Sequence, residues 1–157
     1  MSILSRAGDI LSANINAVLD KLEDPSKMID QYLRDAMDDF AEVKVETAKI
    51  VANEKQAKRA LDEANTKVTR CHELAMSALK AGNEDDARKA LAEEENAKAL
   101  ATTALNTYNA AAADAKKMRE VYECLAGRIA DLQARREHVK AQAATVKAHE
   151  AAAKVTK

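Results

Sequence analysis

Between Pro25 and Gly82 the chain holds no glycine and no second proline, and one set of residues returns at alternating steps of four and three. The set is Ile29, Leu33, Ala36, Phe40, Val43, Thr47, Ile50, Glu54, Ala57, Leu61, Ala64, Val68, Cys71, Ala75 and Ala78. Such a repeat lays a narrow stripe along one helix and demands a second helix to cover it, as in a coiled coil. Thr47 and Glu54 weaken its middle. Met28, Tyr32, Val45, Val51 and Leu74 lie off the stripe and offer apolar surface to a further neighbour. Composition agrees: aromatics are 3%, Trp is absent, and charged residues are 32%. Few bulky side chains mean a thin core, and few helix breakers mean long helices.

Asp24-Pro25-Ser26 reads as the start of this helix, with Asp24 as N-cap and Pro25 in the first helical position. Ala81-Gly82-Asn83 reads as its end. Gly82 suits the left-handed residue after a helix, Lys80 suits the negative end before it, and Asn83 can cap a following helix that opens on Glu84, Asp85 and Asp86. A turn this short makes the two helices antiparallel. The second helix carries Ala87, Leu91, then Ala104, Tyr108, Ala111, Ala115, Met118, Tyr122, Leu125, Ile129, Leu132, Val139, Ala143 and Val146. Its register predicts a slip near Ala101–Ala104. Gly127 is read either as a bend or as a tolerated glycine. At about 1.5 Å per residue the arms reach roughly 80 and 100 Å, so residues past His138 should overhang. The last residues, Ala151 to Lys154, carry no helix stop, and the expectation is a truncated chain.

Ahead of Pro25 stands an amphipathic helix. Ile3, Leu4, Ala7, Ile10, Leu11, Ile15, Val18, Leu19 and Leu22 share one side, and only Asn14 intrudes on that arc. Arg6 and Lys21 are the two cations able to meet lipid headgroups beside it. Its apolar face fits the protein's own hairpin, a membrane surface or a partner protein equally well. Two parts follow: residues 1–23 as the amphipathic helix, and 25–157 as the hairpin, with arms of about 25–81 and 84–155.

Several functions are disfavoured. A net charge of −1 gives no global attraction to nucleic acid. Cys71 and Cys124 lack metal-ligand spacing and read as reduced, small apolar residues. No apolar run is long enough to span a bilayer, and the N-terminus does not read as a signal peptide. His72, His138 and His149 form no metal motif and read as solvated histidines; the three glycines are isolated, so no phosphate loop exists. Glu93-Glu94-Glu95 reads as a solvated face paired with Arg88, Lys89 and Lys98. Arg135-Arg136 reads likewise, or as a contact to another subunit. No cofactor, metal site or enzymatic activity is expected.

Ser2-Ile3-Leu4-Ser5-Arg6, Asn14-Ile15-Asn16-Ala17-Val18-Leu19-Asp20-Lys21 and Glu23-Asp24-Pro25-Ser26-Lys27-Met28-Ile29 resemble the N-terminal signature of the phage-shock-protein A family, which includes the vesicle-inducing protein in plastids and belongs to the ESCRT-III superfamily. The stretch from Ala78 to Leu91 is similar to that family's hairpin turn at Gly82-Asn83. The resemblance implies an all-α fold, an N-terminal amphipathic helix followed by a long antiparallel coiled-coil hairpin. It implies peripheral binding to the inner face of the bacterial cytoplasmic membrane under envelope stress, and homopolymers that remodel membrane. Some relatives also restrain a transcriptional activator. The lipid face would be Ile3, Leu4, Arg6, Ala7, Ile10, Leu11, Ile15, Val18, Leu19, Lys21 and Leu22, meeting anionic or packing-stressed lipid. Two departures stand out: the family often has aromatics where Leu4 and Ala7 stand, which implies shallower insertion, and its later C-terminal helices do not appear before Lys157. No motif carries over the nucleotide hydrolysis credited to some relatives. The reading from a different class is a soluble coiled-coil regulator that binds a protein partner; a third is a three-helix bundle with the first helix docked on the hairpin.

Overall fold

Two long helices carry the described chain. In the computed structural model, which describes residues 25–156, α1 runs Pro25–Lys80 and α2 runs Glu84–Val155. Among the described residues there is no strand, and the helices pack against each other as an antiparallel hairpin. Asp24, the expected cap of α1, lies outside the described residues.

The reversal is a Schellman motif. Gly82 takes φ 76°, a left-handed conformation that costs a residue with a Cβ roughly 1–2 kcal/mol. The Asn83 amide donates to the Ala78 carbonyl at 2.8 Å and the Gly82 amide to that of Leu79 at 3.1 Å. These bonds satisfy carbonyls that the end of α1 leaves without helical partners. Asn83 then opens α2: its carbonyl accepts from Ala87 at 3.1 Å, and its side-chain amide donates to Asp86 at 2.8 Å. Glu84, Asp85 and Asp86 occupy the positive first turn.

The chain forms two compact units. The turn unit is Ala48–Lys117. Its seam is made of small side chains: Ala57, Leu61, Cys71, Ala75, Ala87, Ala97, Ala111 and Ala115 are buried. The Lys58 ammonium lies 5.5 Å from the centre of the Tyr108 ring. The terminal unit comprises the residues up to Thr47 and those from Met118 onward. Its seam is bulkier. Ile29, Val43, Met118, Leu125 and Leu132 are fully buried. Leu33, Ala36, Ile129 and Leu132 form a cluster against Tyr32 and Phe40, and Phe40 meets Tyr122 at 5.0 Å between ring centres.

The α2 register differs from expectation. Ala87, Ala90, Glu94, Ala97, Ala101, Ala104, Tyr108 and Ala111 are all buried or half-buried, in steps of three and four without interruption. There is no slip near Ala101–Ala104. The expected slip came from placing Leu91 on the stripe because it is large; Leu91 is exposed, and the positions that face α1 hold Ala90 and Glu94. Val146, expected on the stripe, is also exposed. α2 stays helical through Gly127, and a methyl group there would meet nothing within 4 Å.

Candidate interaction surfaces

Every site residue expected to touch lipid, from Ile3 to Leu22, lies outside the described residues. The surfaces that can be built side chain by side chain are the flanks of the two arms.

In the turn unit the flanks meet a buried charge. Glu94 was expected in a solvated acidic face, yet it is 5% exposed and takes a seam position among alanines. Its Oε1 lies 3.0 Å from His72 Nδ1 across the hairpin and 3.4 Å from Lys98 Nζ one turn along α2. In the tautomer protonated at Nδ1, His72 donates to the carboxylate. Glu94 and then Glu95 hold the Lys98 ammonium above its ordinary pKa by charge attraction. The small residues around Glu94 let its stem lie in the seam while His72 and Lys98 bring charge and hydrogen bonds from the wet edge. Glu93 and Glu95 remain exposed. The signal was available in the sequence: Glu94 falls on the three–four spacing that starts at Ala87 and Ala90.

The terminal unit has a matching ionic clamp. Asp30 accepts from Arg136 Nε at 2.6 Å and from Lys140 Nζ at 2.8 Å. The hydrogen bonds from Lys140 and then Arg136 hold the Asp30 carboxyl below the usual carboxylate range, and the bond to Asp30 raises the Arg136 guanidinium in turn. Arg136 therefore meets an acid of its own chain.

Apolar residues also stand outside the seam. Met28, Val45, Leu74, Leu100 and Leu105 are between 44% and 59% exposed, whereas Tyr32, Val51 and Val121 are half-buried. Met37, Met76 and Leu79 are exposed as well and were not singled out from the sequence, and Leu91, expected on the α2 stripe, is exposed too. In the turn unit a shallow groove runs along Leu61, Val68, Ala101 and Leu105, edged by Asn65, Lys98 and Thr102. Cys71 is buried and Cys124 exposed, and both are free thiols. Among the described residues no cluster of His, Cys, Asp and Glu is arranged to hold a metal ion, and no helix is long and apolar enough to cross a membrane.

The paired positions in both units lie at nearly equal distances along the chain from Gly82, and the family model described as PspA/IM30 matches residues 2–157. The chain belongs to the PspA/IM30 family. It is 43% identical to the phage shock protein A homolog of Bacillus subtilis over 150 residues, which covers 96% of this chain and 66% of that protein. It is 38% identical to the phage shock protein A homolog of Deinococcus radiodurans, over 64% of this chain and 45% of that one. The membrane-associated protein Vipp1 of Synechocystis is 29% identical over 95% of this chain and 56% of its own length. The chain thus spans about half to two thirds of the length of these relatives. The PspA/IM30 relatives include proteins named for phage shock and for association with membranes.

Proposed function

We propose that this PspA/IM30 chain is a peripheral membrane-binding scaffold that polymerises through the sides of its hairpin arms and thereby remodels or protects the bacterial inner membrane under envelope stress, without enzymatic activity. The observation that supports it is the surplus of apolar side chains outside the seam. One antiparallel seam uses one stripe per helix, and Met28, Val45 and Leu74 on α1, with Leu100 and Leu105 on α2, remain exposed after that seam is made. Lateral contact with further copies removes that surface from water at about 25 cal/mol per Å². A repeated contact of this kind yields a ring if it closes and a helical filament if it does not.

The anchor is the amphipathic segment 1–23. Fully burying one large aliphatic side chain is worth about 1.5–3 kcal/mol, and ordering the helix costs about 1–2 kcal/mol per residue before hydrogen bonds offset it. One copy binds marginally, and many copies on one polymer bind firmly. Arg6 and Lys21 are balanced by Asp9 and Asp20, so salt weakens binding only modestly.

Liposome flotation with and without residues 1–23 tests the anchor, and sedimentation with negative-stain imaging tests the polymer. Ile10→Glu with Leu11→Glu should abolish flotation and leave hairpin helicity intact. Unaltered flotation would place the lipid contact elsewhere. A sharp monomer at every concentration, with and without lipid, would remove the polymer and favour a soluble regulator.

A further inference from the structure

α1 carries a second stripe, on the side turned away from α2. Asp38, Ala41, Val45, Ala48, Ala52 and Lys55 follow one another at alternating steps of three and four, and each is exposed. Such spacing lines up one face of a helix, as the seam residues do on the other. The middle of the stripe is apolar. Val45 is 57% exposed there, and Ala41, Glu42, Val45 and Glu46 line a shallow groove. Charge divides about that middle. Toward Pro25 the outward side holds the exposed acids Asp35, Asp38 and Glu42; toward Lys80 it holds the exposed cations Lys49, Lys55 and Arg59.

We propose that this face of α1 binds the same face of a second copy, antiparallel, about a twofold axis that crosses the helix between Glu46 and Thr47. With Val45 opposite Ala48 of the second copy, Ala41 stands opposite Ala52 and Asp38 opposite Lys55. Asp35 then comes within one residue's rise of Arg59, and Glu42 within one turn of Lys49. The twofold makes each of these pairs twice. Laid parallel and in register, the same faces set acid against acid and cation against cation, and a parallel stagger matches one acidic run with one basic run and leaves the others unmatched. The alanines let the two helix axes approach to about 8 Å. A like-charge pair, Arg34 with Arg59, falls at the solvated rim beside Asp35, where it costs little. The pair rests on the lateral association of copies proposed above and defines one of its contacts. Leu74, Leu100 and Leu105 remain exposed for others, and the membrane anchor takes no part.

The test uses the full chain with Cys71→Ala and Cys124→Ala as background, one spin label per chain and no lipid. A label on Lys44→Cys sits close to the twofold axis and should lie within about 25 Å of its counterpart in the second copy. A label on Thr66→Cys should lie roughly 60 Å from its counterpart, since each residue away from the axis adds about 1.5 Å on either copy. Short distances at both positions would make the copies parallel and overturn the proposal. Asp38→Lys sets a lysine against Lys55 and should weaken association of the Lys44-labelled chain at least about tenfold, with helicity by circular dichroism unchanged. Adding Lys55→Asp should restore it. If that double variant associates no better than Asp38→Lys alone, the register is overturned. Polymers without a short Lys44 distance would keep lateral association and overturn this pair. Closed dimers with the short and the long distance would support the pair and remove the polymer. A monomer at every concentration would overturn both.

Discussion

Single residues decide where polar atoms can enter a seam this narrow. The Thr47 hydroxyl is buried with no hydrogen-bond partner, a loss that costs about 1–3 kcal/mol. Thr47→Val keeps the shape and removes the hydroxyl, so stability should rise by about 1 kcal/mol and Tm by about 2–4 °C; an unchanged or lowered melting temperature would contradict this. Asp30 differs, being a charged acceptor with two cationic donors. Its folded pKa lies below its unfolded value, so its contribution is complete above the unfolded value of about 3.9 and is lost as pH falls through the folded one. The Tm difference between wild type and Asp30→Asn should therefore be constant at neutral pH and shrink below about pH 4. A difference that persists at pH 2 would show that the carboxylate charge is not what stabilises the clamp. Such residues were the least legible in the sequence. Glu94 looked like one of three solvated acids, and Arg136 like part of a solvated face or a contact to another subunit. Charge type alone assigns both to solvent; the three–four spacing through Ala87 and Ala90 reverses that for Glu94, and the pairing of the two arms, which puts Asp30 opposite Arg136, reverses it for Arg136.

At the scale of elements, the α1 stripe was fully legible: each of its positions from Ile29 to Ala78 is buried or half-buried. The turn at Gly82 was legible for the same reason, since one residue combines a helix stop with a following cap. The α2 stripe was less so, because alanine carries little pattern information and a lone leucine misleads. That weakness in the sequence is also a weakness in energy. Each buried CH2 is worth about 0.8 kcal/mol, so the alanine layers of the turn unit contribute less than the leucine, isoleucine and methionine layers of the terminal unit. Amides of α2 from Ala97 to Ala115 should exchange hydrogen faster than those from Met118 to Leu132. Equal protection in the two stretches would show that side-chain burial does not set local opening here. Alanine layers are also alike, so they discriminate poorly between registers. Glu94, held by His72 and Lys98, breaks that degeneracy as a buried polar residue does in other coiled coils. With Glu94→Ala, spin-label distances between Asn65 and Thr102 should broaden; an unchanged narrow distribution would deny Glu94 that role.

For the whole molecule, the feature with the widest reach is that partners across the seam are counted outward from Gly82. His72 meets Glu94, Phe40 meets Tyr122, and Asp30 meets Arg136. This counting constrains how the protein can change in length. One residue inserted into either arm rotates every later side chain by about 100° and shifts it by about 1.5 Å, which moves seam residues toward solvent. Seven residues inserted into one arm restore the face but offset every later pair along the axis. Seven inserted into both arms, at mirrored places, restore the pairs as well. A heptad duplicated in α1 alone should therefore lower Tm sharply, while the mirrored duplication in α1 and α2 together should return it to near wild type. Equal melting temperatures for the single and the mirrored duplication would contradict the counting. Length in this fold is a quantity that the two arms must change together and in whole heptads, so a viable longer or shorter hairpin carries the record of two matched events.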